Sequence, residues 1–170
     1  MKIHGIAFLT IFSLQLKALE TKNNDAMNNQ FDYAAITTLV NKLFIYTDEQ
    51  NWDGLIGEVF TEKVELDMTS LGGVAETMTS QAIADMWSKG FEELDAINHL
   101  GGNYLINTKG DTGDVFTYAT ATHYKTDATE GTTRTFVGTY NLGIERINGQ
   151  WKINSFKYNL KYMTGNIELK

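Results

Sequence analysis

Residues 133–163 read TRTFVGTYNLGIERINGQWKINSFKYNLKYM, and this segment carries the strongest structural signal in the chain. Asn148-Gly149 lies at its centre, and this dipeptide favours a two-residue type I′ turn between antiparallel strands. The residues on both sides are rich in Thr, Tyr, Val, Ile and Phe, which suit a pleated, half-buried surface. We therefore predict a long hairpin with strands Thr133–Ile147 and Gln150–Met163.

The sequence before this hairpin predicts helices first and strands afterwards. Apolar residues recur every three or four positions over residues 31–49, which is typical of an amphipathic helix. Asn51 is a suitable N-cap for a short second helix that contains Phe60. The other predicted elements are a strand over 63–68, a helix capped by Thr79 or Ser80, and strands over 97–107 and 114–126. This order predicts an α+β domain over residues 30–168, with helices covering one face of a curved antiparallel sheet.

Composition narrows the possible functions. The 170 residues suit a single domain, and a hydrophobic content of 42% is enough for a packed core. The net charge is −7 and Lys and Arg form no cluster, so nucleic acid is not an expected partner. The absence of Cys excludes disulfides, thiolate nucleophiles and cysteine-ligated metals. The motifs for dinucleotide binding, P-loop phosphate binding, helical zinc sites and nucleophilic serine elbows are also absent.

The residues before the domain are interpreted separately. Lys2 precedes an apolar run at residues 6–16, which matches the core of a secretory signal. This run is shorter than the ~20 residues that a membrane-spanning helix needs. We predict a signal peptide over residues 1–18 and a polar linker over 19–29, and hence a periplasmic or secreted protein without a membrane span. The alternative is an N-terminal helix that packs on a cytoplasmic domain.

Two histidines, His99 and His123, lie inside the predicted domain. Strand alternation places His123 on the same face as several small residues of its strand, and Gly101 shares the face of His99. Small residues beside a histidine leave space in front of a sheet, so the pattern indicates the floor of a pocket under a helix. The alternative is that each histidine only satisfies a hydrogen-bond partner in the core.

Three motifs resemble those of the SnoaL-like families in the nuclear transport factor 2-like superfamily. They are YTDEQNWD at residues 46–53, INHLGGN at 97–103 and NGQWKI at 148–153. The resemblance covers residues 31–166 and is to the branch that contains scytalone dehydratase and hexachlorocyclohexane dehydrochlorinase. It implies a cone-shaped fold, in which a strongly bent antiparallel sheet wraps around the N-terminal helices and encloses a mostly apolar pocket.

The resemblance implies three catalytic residues, Asp48, His99 and His123. Asp48 would pair with His99, fix its tautomer and stabilise the imidazolium that forms when His99 acts as a general base. His123 would bind or protonate a leaving oxygen. The resemblance implies no cofactor and no metal, although the same three residues also form a possible two-His-one-carboxylate metal site.

The residues expected to contact the substrate depart from those of scytalone dehydratase. That enzyme carries Tyr at the position of Met68, and Ser and Asn at the positions of Gly138 and Tyr140. We predict that Tyr46, Met68 and Tyr140 bind the substrate, with Tyr46 or Tyr140 replacing some of the missing polar groups.

These residues together predict a cofactor-independent lyase or isomerase of the dehydratase type, which would remove a proton from a small apolar organic substrate. The alternative is a non-catalytic ligand-binding or accessory domain that keeps the same pocket. The last strands also carry aromatic residues on both faces, and only one face can line a pocket. We therefore predict a homodimer formed through the sheet, with Phe156, Tyr158 and Tyr162 in its surface.

Overall fold

A computed structural model describes the backbone of residues 4–170 and the side chains of residues 17, 19, 20, 27 and 30–170. The chain divides into two structural units, Met1–Ala35 and Ile36–Lys170. All of the described strands lie in the second unit. The domain boundary at residue 30 and the division of the preceding residues into signal peptide and linker stay predictions.

Helix α1, His4–Asp48, contributes residues to both units. The backbone of residues 19–29 is helical, which the sequence analysis did not predict for this segment. Apolar periodicity reports which face of a helix is buried rather than whether the helix forms, and this segment has no Gly or Pro to interrupt one. Most side chains of the predicted signal peptide, residues 1–18, lie outside the described residues, and export stays a prediction. Among the described residues, no helix is long and apolar enough to cross a membrane.

The chain turns sharply after α1. The side-chain Oδ1 of Asn51 accepts a hydrogen bond from the backbone N–H of Gly54 at 3.0 Å, so Asn51 is the predicted N-cap. It begins the short helix α2, Trp52–Gly54, which continues as a π-helical turn over Leu55–Val59. This tight arrangement sets the direction of the first strand.

Strand β1 spans Phe60–Asp67, so Phe60 is the first residue of a strand and the prediction that it is helical is wrong. The helix-like spacing of Phe60 from the preceding apolar residues shows only that Phe60 is buried, and a strand can bury a residue as well as a helix can. A 3-10 turn at Thr69–Leu71 leads to strand β2, Ala75–Thr79, which the sequence did not predict. Strand β2 lies at an edge of the sheet and is mostly exposed, so it lacks the apolar alternation by which a buried strand is recognised.

The remaining elements follow the predicted order. Helix α3, Ser80–Phe91, begins after Thr79, whose hydroxyl accepts a hydrogen bond from the backbone N–H of Ala82 at 3.1 Å. Four long strands follow, namely β3 Ala96–Lys109, β4 Thr112–Tyr124, β5 Thr133–Ile147 and β6 Gln150–Gly165. Asn148 and Gly149 between β5 and β6 have φ values of 52° and 81°, as a type I′ turn requires. The predicted hairpin is confirmed.

The strands form one sheet in the order β2-β1-β6-β5-β4-β3. The predicted α+β class with a curved sheet is confirmed. One pairing corrects the prediction of a fully antiparallel sheet, because β1 runs parallel to β6 with Leu66 opposite Phe156. Local patterns predict single strands, but they do not reveal which strands distant in sequence become neighbours.

Irregularities in strand pairing bend the sheet. The register shifts between Gly102 and Leu105 in β3, and twice along the β5–β6 pair. Bulges of this kind kink a strand and increase its local twist. The C-terminal part of α1 supplies Ile36, Leu39, Val40, Leu43 and Phe44 to the same buried cluster as the inner face of the sheet. The core therefore lies on the concave side, where the helices cover the sheet.

Candidate functional site

A cavity of about 330 Å³ lies in the second unit, lined by residues from the end of α1, from α3 and from the sheet. This volume is near the lower end of the range of about 300–1,000 Å³ that small-molecule sites occupy. Aromatic, aliphatic and methionine side chains form most of its surface. Side chains with hydrogen-bonding atoms are few among its lining residues, namely Thr47, Trp87, His99, His123, Tyr140 and Tyr158. The predicted apolar pocket is therefore present.

Asp48 and His99 form a two-point contact at the edge of this cavity. The Oδ1 atom of Asp48 lies 2.6 Å from Nδ1 of His99, and its Oδ2 atom accepts the backbone N–H of His99 at 2.8 Å. Because an ionised carboxylate can only accept, the ring proton of a neutral His99 lies on Nδ1, and Nε2 keeps its lone pair. The two side chains are only 14% and 9% exposed, so little water screens their interaction.

Packing fixes the plane of the His99 ring. The ring of Phe44 stacks on it with centroids 5.4 Å apart and an interplanar angle of 9°. A Cβ atom at Gly101 would collide with the Phe44 ring, so the glycine at this position allows α1 to approach β3. Phe44 also meets the ring of Tyr140 edge-on, with centroids 5.2 Å apart. The base candidate is thus held by a carboxylate and by an aromatic ring.

His123 lies in β4 and is held differently from His99. Its side chain is buried, with 7% of the residue exposed, and it packs between the rings of Phe91 and Phe136. The Nε atom of Arg134 donates a hydrogen bond to Nδ1 of His123 at 3.2 Å. A guanidinium can only donate, so Nδ1 must accept and the ring proton lies on Nε2. Burial, followed by the nearby positive charge of Arg134, lowers the pKa of His123 to about 4.

The two histidines therefore carry complementary groups on one cavity. His99 has a lone pair on Nε2 and a carboxylate behind it, which suits a base. His123 is neutral at physiological pH and has an N–H group on Nε2, which suits a hydrogen-bond donor. One neutral imidazole thus offers a hydrogen-bond acceptor to the cavity and the other offers a donor, an arrangement that general acid–base chemistry can use.

The low pKa of His123 predicts how stability depends on pH. The folded pKa of about 4 lies below the ordinary value of 6.5, so the unfolded chain binds a proton over this interval and the folded chain does not. The free energy of unfolding should therefore fall by up to about 3 kcal/mol as the pH falls from 6.5 to 4. Urea unfolding at several pH values measures this loss. His123→Gln should show a clearly smaller loss over the same interval, and an equal loss in both proteins would contradict the assignment.

The structure places two of the three predicted substrate contacts at the cavity. Met68 and Tyr140 line it, and burial, with smaller effects from Tyr158 and Asp48, raises the pKa of Tyr140 well above its ordinary value. Tyr46 is not among the lining residues, and its contact with a substrate stays a prediction. Its hydroxyl donates to a carboxylate oxygen of Glu58 at 3.0 Å, where Lys42 also binds.

Two residues that the sequence assigned to a dimer surface line the cavity instead. Phe156 and Tyr158 are buried, whereas Tyr162 is 55% exposed. One register shift separates Ile153 from Phe156 and another separates Leu160 from Tyr162, and each reverses the alternation of faces. The Tyr158 hydroxyl fills the space that a side chain at position 138 would need, and it has no hydrogen-bond partner among the described residues. Burial raises its pKa to about 12.

Asp48, His99 and His123 do not form a metal-ligand set. Within the described part of the chain, no group of three or more His, Cys, Asp or Glu side chains is placed to hold a metal ion. Both carboxylate oxygens of Asp48 already accept hydrogen bonds from His99, and Nδ1 of His123 accepts one from Arg134. These hydrogen bonds already use the carboxylate of Asp48 and the Nδ1 atoms of both histidines.

Solved structures with the same fold come from several bacteria. The Kfla4162 protein from Kribbella flavida has a TM-score of 0.77 and 20% identity, over 81% of this chain and 95% of that one. A scytalone dehydratase-like protein from Novosphingobium aromaticivorans has a TM-score of 0.70 and 18% identity, over 81% of this chain and 89% of that one. A hexachlorocyclohexane dehydrochlorinase from Novosphingobium barchaimii has a TM-score of 0.70 and 17% identity, over 83% of this chain and 94% of that one. At these identities the likeness shows the fold alone.

Sequence comparison identifies the family. No functionally curated protein matches this chain. The family model of the SnoaL-like domain matches residues 31–157, which include Asp48, both histidines and most of the sheet. Together with the curved sheet, the covering helices and the enclosed apolar cavity, this match shows that the chain belongs to the SnoaL-like domain family.

Proposed function

We propose that this protein is a cofactor-independent lyase or isomerase of the dehydratase type, acting on a small, uncharged and largely apolar organic molecule. The observation that carries the proposal is the pair of opposite tautomers at one cavity. Asp48 leaves His99 with a basic Nε2, and Arg134 leaves His123 with an Nε2–H donor. A domain that only bound apolar ligands would have no need for this pairing.

In the proposed elimination, Nε2 of His99 removes a proton from a carbon of the substrate. The electron pair of that C–H bond forms a C=C bond, and the neighbouring C–O bond breaks. His123 binds the leaving oxygen through Nε2–H, but it does not protonate it, because a neutral imidazole is a very weak acid. The proton taken up by His99 passes to the leaving oxygen, so that water departs and His99 is again neutral. Asp48 stabilises the imidazolium in between.

The lining of the cavity selects the substrate. Met68, Phe91, Phe136 and Phe156 contribute apolar surface, and they offer no charged partner to an ionic substrate. Burying an unpaired charge in such surroundings costs several kcal/mol. A flat or cyclic molecule with one or two oxygen atoms would bury its carbon skeleton and direct its oxygens toward the histidines.

The experiment that tests the proposal is an assay for elimination of water. Purified protein is incubated with a set of uncharged bicyclic β-hydroxy ketones, and the conjugated ketone formed by loss of water is followed by its ultraviolet absorbance. We expect at least one member to react faster with the protein than with His99→Gln. Tight binding of these compounds without elimination, in every case, would instead support the non-catalytic ligand-binding alternative.

We also propose a homodimer formed through the outer face of the sheet. Leu100, Tyr118 and Tyr162 are 76%, 39% and 55% exposed there. Leu100 and Tyr118 line a shallow depression together with Val137, which pairs with Tyr162. Large apolar side chains grouped on an open face commonly mark a contact surface.

The dimer proposal predicts the result of one substitution. Leu100→Glu places a charge in the proposed contact, so the wild-type protein should sediment as a dimer at micromolar concentrations and the variant as a monomer. Val74→Glu is the control, because Val74 is exposed in the loop before β2 and does not belong to this surface. A wild-type protein that sediments only as a monomer would refute the proposal.

A further inference from the structure

Arg134 lies at the start of β5, directly opposite His123 of β4 in the strand register. It makes three contacts there. Its Nε donates to Nδ1 of His123, its guanidinium lies over the ring of Phe136 at 5.5 Å from the centroid, and its Nη1 donates to the carbonyl oxygen of Ile167 at 3.3 Å. The guanidinium is therefore oriented on three sides, and only one of these contacts reaches an ionisable side chain.

Apart from Arg134, the residues around His123 do not determine which of its ring nitrogens carries the proton. The rings of Phe91 and Phe136 contact the imidazole but offer no conventional hydrogen-bonding atom. The ionisable groups that act on His123 are Arg134 from β5, His99 from β3 and Asp48 from α1. Asp48 is already bound to His99, so Arg134 is the group that bonds to the His123 ring.

The segment after β6 holds Arg134 in place. The Leu169 side chain is only 3% exposed, and the backbone N–H of Leu169 donates to Asn166. The backbone N–H of Thr129 donates to the carbonyl oxygen of Lys170 at 2.6 Å. These contacts fix the segment that presents the Ile167 carbonyl to the guanidinium. The chain therefore builds a support for Arg134 from residues that do not line the cavity.

We infer that Arg134, held by the carbonyl of Ile167, is the positioning residue that keeps His123 as an N–H donor and prevents it from becoming a second base. The chemical use of that donor rests on the proposed function, but the tautomer itself does not. An arginine has no acceptor, so it cannot bond to the other tautomer, and its charge opposes protonation of the ring. The two histidines are thus made unequal by two different partners.

The experiment is nitrogen NMR of the full chain with ¹⁵N-labelled histidine. The sequence has three histidines, so His123→Gln assigns the signals of His123. In the wild-type protein, Nδ1 of His123 should show the shift of an unprotonated nitrogen at neutral pH, and its titration should fall near pH 4. Arg134→Met should give a mixture of tautomers and move the titration upward toward 6.5. Arg134→Lys keeps a charged donor and should restore most of the wild-type spectrum.

Arg146→Met is the matched control. Arg146 lies at the other end of β5, where it pairs with Asp111 and covers the ring of Trp151, and its loss should leave the His123 signals unchanged. Unchanged His123 signals in Arg134→Met would overturn the inference. A wild-type spectrum with the proton on Nδ1 would also overturn it, and this measurement does not depend on whether any variant folds. No substrate is needed, so the tautomer is measured independently of elimination. Loss of the tautomer difference would remove the support for the proposed function, and the elimination assay would still decide that function by its own outcome.

Discussion

His99→Gln is expected to lower turnover by about 10²- to 10⁴-fold, the contribution that a positioned general base usually makes. Glutamine keeps much of the volume of the ring, and its amide is not basic. Its side chain can still approach Asp48, so the carboxylate is not left without a partner. The loss should therefore appear in the chemical step and not in the amount of folded protein.

The measurement is the rate of elimination with the substrate found in the β-hydroxy ketone assay, together with urea unfolding of each variant. His123→Gln serves as the comparison, because an amide N–H can still bind the leaving oxygen and the loss should be smaller. Asp48 remains available to His99 in that variant. A folded His99→Gln protein with full turnover would show that His99 is not the base.

Asp48→Asn is expected to lower turnover by a similar factor of about 10²–10⁴, but for a different reason. The asparagine oxygen can still accept the backbone N–H of His99, which Asp48 bonds at 2.8 Å. Its amide N–H₂ group would then face Nδ1 of His99, which must accept instead of donate. This moves the ring proton to Nε2, so the atom that should remove the substrate proton is already protonated.

Two measurements distinguish this route from simple unfolding. Nitrogen NMR of Asp48→Asn should show the His99 proton transferred from Nδ1 to Nε2, and the elimination rate should fall in the same sample. Asp53→Asn is the control, since Asp53 is exposed in α2 and does not line the cavity. If Asp48→Asn kept both the His99 tautomer and the elimination rate, the Asp48–His99 pair would serve the structure of the protein and not its catalysis.

Much of the site was accessible from the sequence, because the motifs around Asp48 and His99 are local and characteristic. Asp48 at the end of α1 and His99 near the start of β3 each lie in a short motif. The resemblance to the SnoaL-like families then implied that the two side chains pair. Arg134 was missed because its role depends on lying opposite His123 on the neighbouring strand. No pattern within β5 indicates how that strand is registered against β4. The long β4–β5 loop hides this proximity further.

Face assignments failed where the backbone is irregular. Alternation along β6 placed Phe156, Tyr158 and Tyr162 together, but the register shift between Leu160 and Tyr162 separates the first two from the third. A bulge adds one residue without a clear sequence signal, so every later side chain is assigned to the wrong face. The contact of the Tyr46 hydroxyl with Glu58 could not be predicted either, because these residues lie in different elements and meet only through the turn after α1.

The parallel pairing of β1 with β6 has a consequence for the order in which the protein can fold. Strand β1 begins at Phe60 and its partner ends at Gly165, so nearly the whole domain is synthesised before this pair can close. Contacts between residues so far apart in sequence slow folding, because the loop between them must lose its freedom first. A nascent chain on the ribosome would carry Asp48 and His99 without the Phe156 and Tyr158 wall of the cavity. It would also expose the unpaired edge of β1 during that delay, which is when binding by a chaperone would matter most.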